Sequence, residues 1–271
     1  MTTSPASEAP ALPRVAVSAV RPVDEAAAAA WAERLGLRLW AAAEAAKGGA
    51  GPYDALLEVG ADGLALRLPD GPRVRVAPRV SAQRRPGGRD LLLRAVGRVT
   101  PEGTVVDATA GLGDDAFHLA SQGLRVILME RSPLVAALLE DALERARSGH
   151  EGDAAARAAA RMRLLVGDAR ELLRSLDPPP DAVVLDPMYP RTGKRSLPGK
   201  GMALFRSLVG DDADAPGLLE AALAVAQRRV AVKRPKRAPA LGAERGAPRP
   251  SGSVVGTTTR YDLYAPRCGS T

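Results

Sequence analysis

Cysteine is nearly absent from this 271-residue chain, with Cys268 alone. A single thiol excludes an internal disulfide and any cysteine-rich zinc site, and no metal is expected. Histidine is scarce too: His118 and His150 are the pair available for proton transfer. Aromatic residues make up 3% of the chain. The core must therefore be built mostly from Leu, Val and Ala, and each exposed ring gains weight as a base-stacking platform. No run approaches the roughly 18 apolar residues of a membrane span. Residues 1–13 lack the basic start and apolar stretch of a secretory signal. A cytoplasmic protein is expected.

What remains is ordinary for a globular chain, with 46% hydrophobic and 25% charged residues. The length suits one large α/β domain with a smaller appendage. The net charge of +7 favours a polyanionic partner, because lysine and arginine gain affinity by displacing phosphate counterions.

Residues 1–13, rich in Pro, Ala and Ser, read as a disordered tail. Residues 14–80 read as a small α+β subdomain. A strand at 14–20 precedes an alanine-rich helix from Asp24, a candidate N-cap, to Leu35, with Gly36 as its stop. Short alternating runs follow, separated by the Asp62-Gly63 and Asp70-Gly71 turn signals. Residues 81–271 form the main domain. A basic linker and a helix at 91–99 lead into strands at 104–108, 125–130, 163–167, 181–186 and 229–233. Helices are expected near 114–122, 133–147, 169–176 and 216–227, with a late hairpin at 254–258 and 260–264. This alternation predicts a mostly parallel, Rossmann-like sheet with helices on both faces.

Two motifs carry chemistry. Asp107-Ala-Thr-Ala-Gly111-Leu-Gly113 is a strand running into a glycine turn, which lets the backbone approach a nucleotide-like ligand closely. The next helix offers its first amides, from Asp114 and Asp115, to an anionic group. Glu130 ends the second strand, where it suits a ribose, and Asp168 follows the third, where it suits an adenine amine. The second motif is Asp186-Pro187-Met188-Tyr189-Pro190, a proline-stiffened loop directly after a buried strand. There Asp186 would accept the hydrogens of a weakly nucleophilic exocyclic amine, and Tyr189 would stack on an unpaired base. The pair points to methyl transfer from S-adenosylmethionine onto a nucleobase amine.

Other readings stay open at this point. Gly111-Leu-Gly113-Asp-Asp-Ala116 also fits the dinucleotide fingerprint, with Glu130 as the ribose acid. A nicotinamide-dependent dehydrogenase therefore competes, although it leaves the Asp186 loop without a task. Methylation of DNA, another RNA or a protein amine, and a non-catalytic RNA-binding module, also remain. Basic clusters at Arg84 and Arg85, at Arg191, Lys194, Arg195 and Lys200, and at Lys233 and Arg234 favour contact with RNA phosphates.

Several longer motifs recur together: Asp107 to Phe117, Met129 to Leu139, Leu185 to Pro190, Phe205 to Gly210, Val232 to Pro235 and Arg260 to Tyr264. In that order they resemble the RsmJ-type 16S rRNA guanine-N2 methyltransferases, over about Arg84 to Tyr264. The resemblance implies a class I methyltransferase fold, S-adenosylmethionine as donor, and a guanine of small-subunit rRNA as acceptor. It implies cofactor contacts at Asp114, Asp115, Glu130, Arg131, Asp168, Ala169 and Asp186.

Overall fold

Runs of Val, Leu and Ala four to seven residues long, closed by Gly, Pro or Asp, are too short for stable helices and pack well on a pleated surface. They form the strands of two sheets in a computed structural model. The structure describes residues 14–46, 50–68, 73–78, 90–99, 103–187, 214–243 and 246–266. By contact density they divide into two units, with the boundary after Val74.

The first unit is a five-stranded mixed sheet. Its strands are β1 (Val15–Ala19), β2 (Arg38–Trp40), β3 (Ala55–Gly60), β4 (Gly63–Arg67) and β5 (Arg73–Val74), in the order β2-β1-β3-β4-β5. Helix α1 (Glu25–Leu35) ends on Gly36 in the left-handed region, at φ +63°. The Asp24 carboxylate bonds back to Arg21 instead of capping α1. Strand β2 and helix α2 (Ala42–Ala46) were not expected from the sequence, because three residues carry too little alternation and five alanine-rich ones too little periodicity. Trp40 and Tyr53 meet edge to face, with ring centroids 5.4 Å apart, against Ala16, Ala45, Ala50 and Leu56. The buried carboxylate of Glu58 is neutralised by Arg67, at 2.6 Å, and by Arg73.

The second unit holds a seven-stranded sheet. Its strands are β6 (Thr104–Asp107), β7 (Arg125–Glu130), β8 (Met162–Val166), β9 (Ala182–Leu185), β10 (Arg229–Pro235), β11 (Gly252–Val255) and β12 (Thr259–Tyr264). They lie in the order β11-β12-β10-β9-β6-β7-β8. Strands β6 to β10 pair in parallel, and β12 runs antiparallel to both β10 and β11. One face is covered by α3 (Leu91–Val96), α4 (Asp114–Ser121), α5 (Pro133–Arg147) and α6 (Asp153–Ala159), with α4 packed on α3 and α6 packed between α4 and α5. The other is covered by α7 (Ala169–Arg174) and α8 (Ala215–Val225). Val106, Ala108, Met129, Val183, Leu185, Val230 and Val232 bury against α7 and α8. With a strand period of two, the residues between them point to the α4 side. Helix α6 also escapes sequence reading, because its buried stripe is alanine alone: Ala155, Ala158 and Ala159.

Phe117 of α4 is 1% exposed and fills the space beneath Gly113 together with Leu139 of α5. In a core this poor in rings its loss leaves a large void. Phe117→Ala should lower the unfolding free energy by about 3–5 kcal/mol in urea titrations followed by circular dichroism. A loss below ~1 kcal/mol would show that the loop does not rest on this ring.

Candidate active site

From β6 the chain moves to β7 and β8 on one side, then returns to β9 and β10 on the other. The strand order reverses between β6 and β9, and at such a reversal a crevice opens at the carboxyl ends of the strands. Asp107 ends β6, Glu130 ends β7, Asp168 follows β8, Asp186 follows β9, and Lys233 lies in the carboxyl half of β10.

The glycine loop is fixed by backbone bonds. Ala110 N–H donates to Met129 O at 3.1 Å, and Gly113 N–H to Ala110 O at 2.8 Å. Glu130 clamps it from the neighbouring strand. Its carboxylate accepts from Gly111 N–H at 2.9 Å and from Ser132 N–H at 2.8 Å. Burial raises the Glu130 carboxyl above its ordinary range, and these two amides oppose the rise. Gly111 has φ +52°, and a Cβ there would make only an ordinary contact, 4.0 Å from Thr109 O, so conformation sets the residue type there. At Gly113, φ is +79°, which strains any other residue, and a Cβ would lie 2.8 Å from Leu139 Cδ1, so the Leu139 side chain would also have to shift.

The opposite wall is electrostatic. Lys233 Nζ lies 3.0 Å from Asp115 Oδ2 on α4 and 2.9 Å from Asp186 Oδ2 after β9. Burial works to lower the Lys233 ammonium, but Asp186 and Asp115 outweigh it and hold it above the ordinary lysine range. Asp186 is tied in by its backbone: its N–H donates to Thr109 Oγ1 at 2.7 Å. Its carboxylate side is 46% exposed, so it faces the opening. Tyr261, the β12 register partner of Lys233, is buried in the same group, and burial and then Asp115 raise its hydroxyl. Asp107 is buried behind them. Its carboxyl is pushed up to about 7 by burial and then by Asp115, against the Thr109 amide.

Asp168 caps α7, accepting from Arg170 N–H at 2.8 Å, and the Arg170 side chain holds its carboxyl below the usual range. Arg170 and Arg131 both reach Asp214, at 3.4 and 3.3 Å, forming a charged rim beside Ala169. His118 is engaged with Asp90, the N-cap of α3, so it serves packing between α3 and α4.

The structure thus brings together Asp107, Gly111, Gly113, Asp114, Asp115, Glu130 and Asp186 along one edge, with Arg131, Asp168 and Ala169 on its rim. Pro187 is buried. Tyr189, Arg84, Arg85, Arg191, Lys194, Arg195 and Lys200 lie outside the described residues. Two members of the basic clusters need correction. Lys233 is occupied by carboxylates inside the crevice, and Arg234, 5% exposed, donates to Pro239 O. The strand period turns neighbours in this charge run to opposite faces, and neither side chain is offered to phosphate. Sequence reasoning missed Thr109 and Tyr261. Thr109 stood inside the quoted motif, and Tyr261 inside Arg260 to Tyr264, but only strand pairing brings them to Asp186 and Lys233.

A family model described as "Putative SAM-dependent methyltransferase" matches residues 55–266. The chain is similar to the ribosomal RNA small subunit methyltransferase J of Pseudomonas aeruginosa, 48% identical over 263 residues that cover 93% of this chain and 95% of that protein. A protein of the same name from Pseudomonas fluorescens is 45% identical, covering 95% and 96%. Among solved structures, a SAM-dependent methyltransferase from Neisseria gonorrhoeae matches with a TM-score of 0.67 and 30% identity, covering 94% of this chain and 98% of that one.

The raised carboxyl of Asp107 has a measurable consequence. Between its ordinary value of 3.8 and about 7 the folded state holds a proton that the unfolded chain releases. Its contribution to stability is therefore present below pH ~4 and lost as pH rises towards 7, by up to about 1.4 kcal/mol per pH unit. Urea unfolding of the wild type and Asp107→Asn from pH 4.5 to 8 should show the variant free of that decline. Parallel curves would refute the assignment.

Proposed function

The chain belongs to the ribosomal RNA small subunit methyltransferase J family of S-adenosylmethionine-dependent methyltransferases, and from there we propose that it methylates the exocyclic N2 of a guanine in small-subunit rRNA. The observation that carries this reading is the Asp186 carboxylate, anchored through Thr109 and held by Lys233, at the strand reversal beside the glycine loop.

The residues present fit the donor. At Gly111 a Cβ would meet Thr109 O at 4.0 Å, an ordinary contact, and the Asp115 and Asp186 carboxylates share the single Lys233 ammonium, with Asp107 behind them. That surplus of negative charge suits a ligand carrying an ammonium and a sulfonium. When bound, S-adenosylmethionine supplies a methyl group on cationic sulfur. Gly111, Gly113 and the first amides of α4, at Asp114 and Asp115, would hold its amino-acid end. Glu130 and Arg131 would face the ribose, and Asp168 and Ala169 the adenine.

A guanine N2 lone pair is delocalised into its ring. Asp186 would accept the amine hydrogens and turn the lone pair towards the donor's methyl. N2 would gain the methyl as its bond to sulfur breaks, leaving a neutral thioether, and the proton lost from N2 would pass to that carboxylate or to water. A carboxylate paired with an ammonium 2.9 Å away is a weak base, so Asp186 acts by positioning and electrostatics. Pro187 would stiffen the loop and Tyr189 would stack on the flipped base. Arg84, Arg85, Arg191, Lys194, Arg195 and Lys200 are proposed for phosphate contact.

Labelled S-adenosylmethionine with 16S rRNA or small subunits lacking the modification should place label in N2-methylguanine. Absence of that label, with transfer to DNA or protein instead, would redirect the substrate. Asp186→Ala should lower kcat by about 10²-fold or more, with a smaller change in donor affinity. Lys233→Met should also lower kcat, and Lys233→Arg should recover part of it. Donor affinity should strengthen as pH rises towards 7 and Asp107 ionises; calorimetry at pH 6 and 8 with no difference would remove Asp107 from that role.

A further inference from the structure

The amino-terminal edge of the large sheet, opposite the crevice, carries a second concentration of charge. Arg125 opens β7, Arg161 immediately precedes β8, and Arg163 follows Met162 in β8. The register pairs Val126 with Met162 and Ile127 with Arg163. Arg125, Arg161 and Arg163 therefore project from the same face.

Further along that face, Ile127 and Leu165 are covered by the α7 and α8 core. The cover is short. Helix α7 has 6 residues, about 9 Å at the usual helical rise, whereas the 5 residues of β8 span about 16 Å. The arginines begin where the helix runs out.

Arg157, in the last turn of α6 on the other face, borders a hollow at the same strand ends. Arg125, Arg157, Arg161 and Arg163 line this hollow, of about 640 Å³, together with residues that include Thr104 and Met162. Among the described residues no carboxylate lines it. Arg157, Arg161 and Arg163 are exposed and form no ion pair among the described residues. The guanidinium groups of Arg157, Arg161 and Arg163, gathered at a concave surface, repel one another until an anion enters, and their planar forks match phosphate oxygens. Charged side chains on an edge strand also discourage sheet-to-sheet pairing. That role accounts for the arginines of β8, but not for Arg157 on a helix or for their convergence with Arg125.

We propose that this hollow is a second RNA-contact surface, taking the sugar–phosphate backbone of the substrate away from the nucleotide being methylated. The proposal rests on the rRNA reading above. Arg125 and Glu130 stand at opposite ends of β7, about 17 Å apart along the strand. An RNA touching both edges must wrap around the unit, so a folded rRNA domain fits and a short single-stranded loop does not.

The full chain carrying Arg157→Gln, Arg161→Gln and Arg163→Gln together would be titrated with protein-free 16S rRNA and with 30S subunits over a range of salt. Three lost phosphate contacts should flatten the log K against log salt slope by about 2 to 3 units. Donor affinity and Tm should stay at wild-type values. The Arg157→Gln variant alone should flatten the slope by a little under one unit, and three Arg→Lys changes should restore most of it. An unchanged slope in the triple variant would overturn the proposal. So would a loss confined to 30S subunits, which would mark an acidic protein partner, or a change in self-association alone, which would mark edge protection. Wild-type protein that neither binds nor methylates rRNA would instead overturn the reading beneath it.

Discussion

The ammonium of Lys233 joins parts of the chain that are far apart in sequence. It stands in β10 and reaches Asp115 on α4 and Asp186 after β9, while Asp107 is buried behind them at the end of β6. Like charges that close separate the elements carrying them unless a cation lies between. Its partly buried position, with 29% side-chain exposure, keeps the attraction from being screened as it would be on the surface. The crevice therefore has a defined width because one strand places a lysine at the register position facing two acids. Thr109 adds the neutral half of this arrangement by fixing the Asp186 backbone to the glycine loop.

The parallel sheet was legible because its strands are short, apolar and separated by amphipathic helices. The caps were less legible: Asp24, the N-cap expected, does not cap α1, whereas Ser132 and Asp168 accept from amides of α5 and α7 without having been read as caps. The acids at strand ends were legible, since a strand's last residue is fixed by where its apolar run stops. Lys233 was read instead as one charge in a basic run. A charge run says nothing about which face each member takes, and the alternation of β10 sent Lys233 to the acids and Arg234 to Pro239. Tyr261 was silent in the sequence because its neighbours there are not its neighbours across the sheet.

The glycine loop admits both a nicotinamide and a sulfonium donor as far as spacing goes. What separates them physically is charge. Asp115 and Asp186 set two carboxylates against the one Lys233 ammonium, which leaves the crevice with more negative charge than Lys233 balances. A dinucleotide brings phosphates to this loop and meets that field as repulsion. A sulfonium amino acid brings cations and meets it as attraction, and once the methyl leaves, the sulfur loses its charge and part of that attraction.

The same field constrains how the proposed substrate is held. An RNA backbone approaching the Asp186 opening closely would bring phosphates against the carboxylates proposed to hold the donor. A neutral base flipped out of its stack can enter where its phosphates cannot. Affinity for the polyanion then has to be supplied at a distance from the chemistry. The arginine-lined hollow at the opposite strand ends meets that need: along β7 it is more than a Debye length from Glu130 at physiological salt, where the acids no longer oppose a bound phosphate. On this view the two ends of one sheet divide the work by sign, with carboxylates holding the cationic donor and guanidinium groups holding the anionic chain.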